Sequence, residues 1–235
     1  MFTGSTVVLT GVGREGQVGE AVANAFAALG ASLVLVARAA ATAEARAADV
    51  ARQGGQARAY GCDLADAEAV ADLAAAVRAA HGERIHALVH MAGGFAMSGP
   101  VAESAIDVWN RQLAINLTTA YLTTRAFLPS LRLARGSIVL FASQAALPGS
   151  TGAKMAAYTV AKTGVAALMR AIAAEERVNG VRANAVAPAS IRTAANLAAM
   201  GPGVRYVERE QVASVVTFLC SDAASAVTGE LVSIS

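Results

Sequence analysis

The sequence predicts an α/β fold: one doubly wound Rossmann-type domain over residues 1–235, with a seven-stranded parallel sheet and helices on both faces. Three observations carry this. Short β-rich runs alternate with longer alanine-rich helical stretches. The runs are continuously apolar, as strands buried on both faces require, and the stretches between them are long enough for the crossovers that parallel pairing needs. No Pro/Ser-rich linker, repeat or low-complexity block divides the chain.

The expected strands are TVVLT (6–10), SLVLVA (32–37), ARAYG (57–61), IHALVHM (85–91), SIVLFA (137–142), VRANAVA (181–187) and ELVSI (230–234). The first runs into TGVGREGQVGEAVANAF, which sets Gly11, Gly13, Gly16 and Gly19 ahead of a helix. Glycines let the backbone turn tightly and approach a pyrophosphate, whose charge is favoured at a helix start. The strand–loop–helix setting favours a dinucleotide site here over a purely structural turn.

The second strand ends at Ala37-Arg38, where an NAD site of this fold places an acidic residue for the ribose hydroxyls. That acid is missing. Arg38, with Arg14 in the glycine loop, is suited to charge-assisted hydrogen bonds with a 2′-phosphate, which points to NADP(H). The third strand exits through Cys62-Asp63-Leu64, where Asp63 serves either an adenine amino group or the next helix as its N-cap. Later, Tyr158 and Lys162 lie four apart, on one helix face. A phenol with a pKa of about 10 is a poor acid or base near neutrality, and a neighbouring ammonium is expected to lower it.

Composition excludes several classes. Hydrophobic residues make up 55% of the chain but aromatics only 5%, so alanine-rich helices pack closely on the sheet. The longest charge-free stretches, near 85–102 and 136–153, are broken by Gly, Pro and Ser, so neither reads as a membrane span. The N-terminus lacks the basic segment of a signal peptide, which makes the expected location cytoplasmic. Cys62 and Cys220 have no metal-ligand or disulfide-framework spacing and are expected to be buried packing residues; no metal site is expected. A net charge of +2 with no basic run argues against a nucleic-acid or membrane partner and for a small molecule.

Taken together, these residues resemble the short-chain dehydrogenase/reductase family through nearly the whole chain. The glycine loop at 10–19, Asp63-Leu64, Ala92-Gly93, Asn116, Ser143, Tyr158/Lys162 and the segment Asn184–Thr193 fall in the family's order. The resemblance implies hydride transfer between NADP(H) and a carbonyl or alcohol, run toward reduction, as by a ketone or 3-oxoacyl reductase. Ser143 would hydrogen-bond the reacting oxygen, Tyr158 exchange its proton, Lys162 hold the nicotinamide ribose and tune Tyr158, and Asn116 anchor a relay water. The cofactor would rest on Gly11, Gly16, Val18 and Gly19 of the loop, on Leu64, Ala92, Gly93 and Pro188, and on Ile191 and Thr193 at the carboxamide. Relatives associate through helices corresponding to roughly 104–134 and 152–178, so a homodimer or homotetramer is expected. The sequon Asn116-Leu-Thr118 would go unused in the cytosol.

Several departures bear on function. The glycine loop is about two residues longer than usual, and so is the Ser143-to-Tyr158 interval. His90-Met91-Ala92-Gly93 stands where Asn-Asn-Ala-Gly is usual, which is expected to remove a brace between neighbouring strands. A short stretch after Thr193 replaces a longer lid and predicts an open site. Phe95, Met97, Leu147, Met155 and residues 194–200 are candidates for the substrate wall. The short lid and Ala92-Gly93-Gly94-Phe95 also resemble dihydropteridine reductases, although Arg38 and Ser143 do not fit that branch. An NADP-binding regulator without turnover is disfavoured by the Ser/Tyr/Lys/Asn set. A sugar-nucleotide epimerase is disfavoured because no residues remain for its second domain.

Overall fold

The computed structural model describes residues 1–235. Its sheet comprises β1 (Thr6–Thr10), β2 (Ser32–Ala37), β3 (Gln56–Gly61), β4 (Ala87–His90), β5 (Ser137–Phe141), β6 (Arg182–Pro188) and β7 (Leu231–Ile234). The order is β3-β2-β1-β4-β5-β6-β7, with every neighbouring pair parallel. All seven expected strands are present, with ends within two residues of those read from the sequence.

Period-two alternation sends successive residues to opposite faces. Val7 and Leu9 of β1 join Val22 and Phe26 of α1 (Val18–Ala28), residues of α2 (Ala40–Arg52) and Val212 and Val216 of α8 (Arg209–Cys220). Val8 joins the opposite cluster, with Leu73 of α3 (Ala67–His81), Phe127 of α5 (Thr119–Ala134) and Met169 of α6 (Ala156–Glu175). The clusters hold 27 and 24 buried residues, so neither face is left to water, which is why the central strands read as unbroken apolar runs. The edge strand β3 departs from this: Gln56 and Arg58 point outward and are exposed.

Local signals set the ends of several helices. Asp66 caps α3 by accepting from the N–H groups of Glu68 and Ala69, and Glu208 and Gln211 form a reciprocal capping box on α8. The expected long helix near 104–134 is α4 (Ile106–Leu113) and α5 with a π-helical turn, Ala114–Thr118, between them. Such a turn, carrying one extra residue, marks functional positions in helices, and here it holds Asn116. No helix is long and apolar enough to cross a membrane.

The expectation that His90 costs the fold a brace is corrected. The His90 Nδ1 lies 2.9 Å from the Thr10 hydroxyl and its Nε2 lies 3.2 Å from the Thr119 hydroxyl, so one ring ties β1, β4 and α5. Because the Thr119 hydroxyl donates to the Ile115 carbonyl, it accepts from Nε2–H, and Nδ1 accepts from Thr10. The ring is neutral: burial, reinforced by the Lys162 charge, lowers its pKa to about 3.

Unfolded His90 takes up a proton below about pH 6.5, whereas folded His90 waits until about pH 3, so its contribution to stability is lost as pH falls through this window. His90→Asn should therefore show a shallower fall in urea-unfolding free energy between pH 6 and 4, by up to one proton. His90→Leu should lose about 2 kcal/mol at pH 7, because the buried Thr10 hydroxyl loses its partner.

Candidate active site

At the C-terminal strand ends, β1 and β4 are neighbours but their chain connections leave toward opposite faces, which opens the crevice where α/β sheets bind ligands. One end is a cavity of about 640 Å3 lined by Gly11, Gly13, Ala37, Arg38, Asp63, Leu64 and Ala92, with Arg111, Gln112 and Ile115 across from them. The other, of about 580 Å3, is lined by Ser143, Tyr158, Lys162, Pro188, Ile191 and the C-terminal part of α7 (Ala194–Met200). Met91, Gly93, Gly94 and Phe95 border both.

The proposed reacting groups converge at the second end. Ser143 follows β5, and its hydroxyl accepts from the Ala145 N–H at the start of a 3-10 turn. Tyr158 and Lys162 share one face of α6. The Lys162 Nζ donates to the Phe141 carbonyl at 2.7 Å and lies 6.0 Å from the centre of the Tyr158 ring. Asn116 is 1% exposed, which removes the sequon from modification. Its Oδ1 accepts from the Gly94 N–H at 3.1 Å, and its Nδ2 donates to the carbonyls of Gly94 and Gln112, each at 3.0 Å, and to the Gln112 Oε1 at 3.2 Å. A Cβ on Gly93 would come within 2.5 Å of the Asn116 Oδ1 and 3.2 Å of the Lys162 Nζ, so this junction tolerates no side chain.

The electrostatics correct one expectation. In the chain itself Tyr158 is raised above the ordinary phenol value by burial, and only the Ser143 hydroxyl pulls it down. Lys162 spends its ammonium on the Phe141 carbonyl and is itself lowered to about 8 by burial.

The expected cofactor residues separate into groups. Gly11, Arg38, Asp63, Leu64, Ala92 and Gly93 line the first cavity, and Pro188 and Ile191 the second. Asp63 is not the cap of α3, since Asp66 takes that role; its Oδ1 accepts from the Ala65 N–H. Arg14 is exposed and lies outside the cavity lining, as do Gly16, Val18 and Gly19. Gly19 serves packing: a Cβ there would overlap the Val12 carbonyl. Thr193 is buried, with its hydroxyl turned to the Asn196 N–H as the cap of α7.

The short segment after Thr193 forms α7, whose Asn196, Ala199 and Met200 wall one side of the cavity, with Phe95 and Met200 left partly exposed at its mouth. Its base is fastened by an isolated Ile191–Val207 bridge, an Arg192–Glu208 pair at 2.6 Å, and the Tyr206 hydroxyl donating to the Asn196 and Gly201 carbonyls. Of the wall candidates, Phe95 and Met155 line it, while Met97 and Leu147 do not. Cys62 and Cys220 are buried as expected; burial raises their thiols to about 11 and about 12, with Asp63 and Asp66 adding to the shift at Cys62.

Sequence reasoning missed the group that sets the long glycine loop. Glu20, in the first turn of α1, accepts from the Gly16 N–H at 2.8 Å, from Arg46 of α2 at 2.9 Å and from Arg209 of α8 at 2.9 Å. Its one sequence signal is an acid in a first helical turn.

A cleft bordered by the glycines of the first loop and by Gly93, ending beside a tyrosine–lysine pair, is the arrangement expected of a dinucleotide-dependent oxidoreductase. A family model described as enoyl-(acyl carrier protein) reductase matches residues 11–235. The chain is 34% identical to a D-threitol dehydrogenase of Mycolicibacterium smegmatis, over 92% of this chain and 86% of that one. It is 31% identical to a 3-oxoacyl-[acyl-carrier-protein] reductase of Synechocystis, over 97% and 94%. Among solved structures, a short-chain type dehydrogenase/reductase from Mycobacterium ulcerans superposes with a TM-score of 0.91 at 30% identity, over 99% and 89%. The chain belongs to the short-chain dehydrogenase/reductase family. Its members are oxidoreductases of CH–OH and C=O groups that use a nicotinamide cofactor, NAD or NADP.

Glu20→Gln removes the charge that holds the Gly16 N–H and two guanidinium groups. Cofactor KM should rise roughly tenfold while kcat changes less than threefold, and thermal stability should fall. Steady-state kinetics and a melting curve check both.

Proposed function

We propose that the chain, acting as a single domain over residues 1–235, is an NADP(H)-dependent reductase of ketones or 3-oxoacyl compounds. The observation that carries this reading is the convergence of Ser143, Tyr158 and Lys162 at one end of a cleft whose other end is edged by Ala37 and Arg38 in place of an acid. The Arg38 guanidinium, exposed at the cleft rim, suits a 2′-phosphate, and nothing at the end of β2 would accept from ribose hydroxyls as an NAD site requires. Arg14, also exposed in the glycine loop, is a second candidate for that phosphate.

The remaining residues fit such a cofactor. Gly11 and Gly13 leave room for a pyrophosphate, Asp63 and Leu64 border the adenine end, and Ala92, Gly93, Pro188 and Ile191 surround the nicotinamide end, with Thr193 just behind them as the cap of α7. When bound, the nicotinamide supplies the hydride that a carbonyl carbon accepts. The Tyr158 hydroxyl donates its proton to the carbonyl oxygen, and the Ser143 hydroxyl holds that oxygen by a second hydrogen bond. The Lys162 ammonium, lining the same end of the cleft, holds the nicotinamide ribose, and Asn116 anchors the water that returns the proton.

The enzyme acts in the cytoplasm on a small molecule, with no nucleic-acid or membrane partner. Its outer helices leave Ile106, Tyr121, Leu133 and Val160 exposed on α4, α5 and α6, which supports association as a homodimer or homotetramer.

NADPH and NADH oxidation against ketones, oxoacyl thioesters and quinonoid pterin tests the reading. NADPH should be preferred at least tenfold, Arg38→Ala should raise its KM by roughly ten- to a hundredfold, and Tyr158→Phe should lower kcat at least a hundredfold. Tight NADPH binding without turnover of any substrate would point to a regulator, and pterin-specific turnover to a dihydropteridine-reductase-like enzyme. With Lys162 charged only below about pH 8, kcat/KM for reduction should fall as pH rises through that value.

A further inference from the structure

Resting on the reductase reading, we propose that the substrate is an uncharged ketone with an apolar aryl or alkyl body, held by Phe95, Met155 and Met200, and that polyhydroxylated ketones are rejected. The substrate end of the cleft is poor in charge: Lys162 is its one charged side chain, and no carboxylate or guanidinium lines it. Its polar groups are largely engaged within the protein. The Asn196 amide donates to the Ile191 carbonyl at 2.8 Å, the Ser190 hydroxyl contacts the Met200 Sδ at 3.7 Å, and Lys162 is held by the Phe141 carbonyl.

Beyond Ser143 and Tyr158, which serve the reacting oxygen, the wall offers a substrate only the Gln144 amide, the Asn196 Oδ1 and the Ser190 hydroxyl oxygen as polar side-chain groups. A ketose buried here would leave hydroxyls without partners, each costing about 1–3 kcal/mol.

The apolar groups are placed as a grip. Phe95 stands edge-on to the Tyr158 ring, with centroids 5.0 Å apart and planes at 87°, yet remains 59% exposed. Met200, at the end of α7, is 42% exposed. Large apolar side chains left in water around one mouth gain when a ligand covers them. The base of α7 is fastened through Tyr206 and the Arg192–Glu208 pair, so Met200 meets the substrate from a fixed support. Flexible thioethers on such a support adapt to the outline of an apolar body rather than count its hydroxyls.

The test measures NADPH-dependent kcat/KM for acetophenone and 2-octanone against dihydroxyacetone and erythrulose, together with binding of acetophenone and erythrulose to the enzyme–NADP complex by saturation-transfer NMR. The apolar ketones should exceed the hydroxylated ones at least a hundredfold. Met200→Gln should narrow that ratio at least tenfold through substrate KM, with cofactor KM unchanged, and Phe95→Ser should narrow it too. Equal or better use of erythrulose, or an unchanged ratio in both variants, overturns the substrate assignment while leaving the reductase reading intact. Selective acetophenone binding without reduction of any carbonyl overturns the reductase reading instead and leaves the pocket assignment standing. If nothing is bound or reduced, both fall.

Discussion

Where β1 and β4 lie side by side, the crevice between their diverging connections has to be walled by backbone, because any side chain there would fill it. Gly93 meets this constraint against Asn116 and Lys162, and Gly11 meets it against the Ala92 backbone. The π-helical turn between α4 and α5 aims Asn116 back at the Gly94 peptide, and His90 fixes the floor of the crevice by joining three elements through one imidazole. The cleft is therefore a property of the sheet and of the residues that brace it. Ser143, Tyr158 and Lys162 are added at its rim by α6 and the turn after β5.

That rim concentrates an unfavourable charge. Lys162 is buried as an ammonium with a single carbonyl for company, and that burial lowers its pKa. Tyr158 is driven the other way by the same dry surroundings. Burial thus leaves the ordinary neutral-pH form of each group unchanged, and both line the cavity that a substrate would fill.

Much of this was legible in the sequence. The strands showed themselves because burial on both faces removes the polar alternation that would otherwise blur a short run, and Tyr158-x-x-x-Lys162 was readable because helical spacing alone puts the pair on one face. The cofactor strip was half legible. Glycines announce backbone proximity but not what they approach, so the sequence could not show that the Gly16 N–H meets Glu20 or that Gly19 packs on Val12. His90 read as a lost brace because its partners, Thr10 and Thr119, are 80 and 29 residues away and ordinary by themselves. The stretch after Thr193 read as a short lid because length is legible; its fastening by Tyr206 and Glu208 depends on contacts that no local pattern encodes.

The Glu20 junction also ties the glycine loop to a helix far away in the sequence. The carboxylate sits in the first turn of α1, but one of the two arginines that set it belongs to α8, 189 positions further on. The loop between β1 and α1 is therefore settled by a contact that local structure alone does not supply. A ligand that binds the loop in this arrangement stabilises the state in which α1 and α8 are joined, so occupancy at one end of the cleft is felt in the packing of the helices behind it.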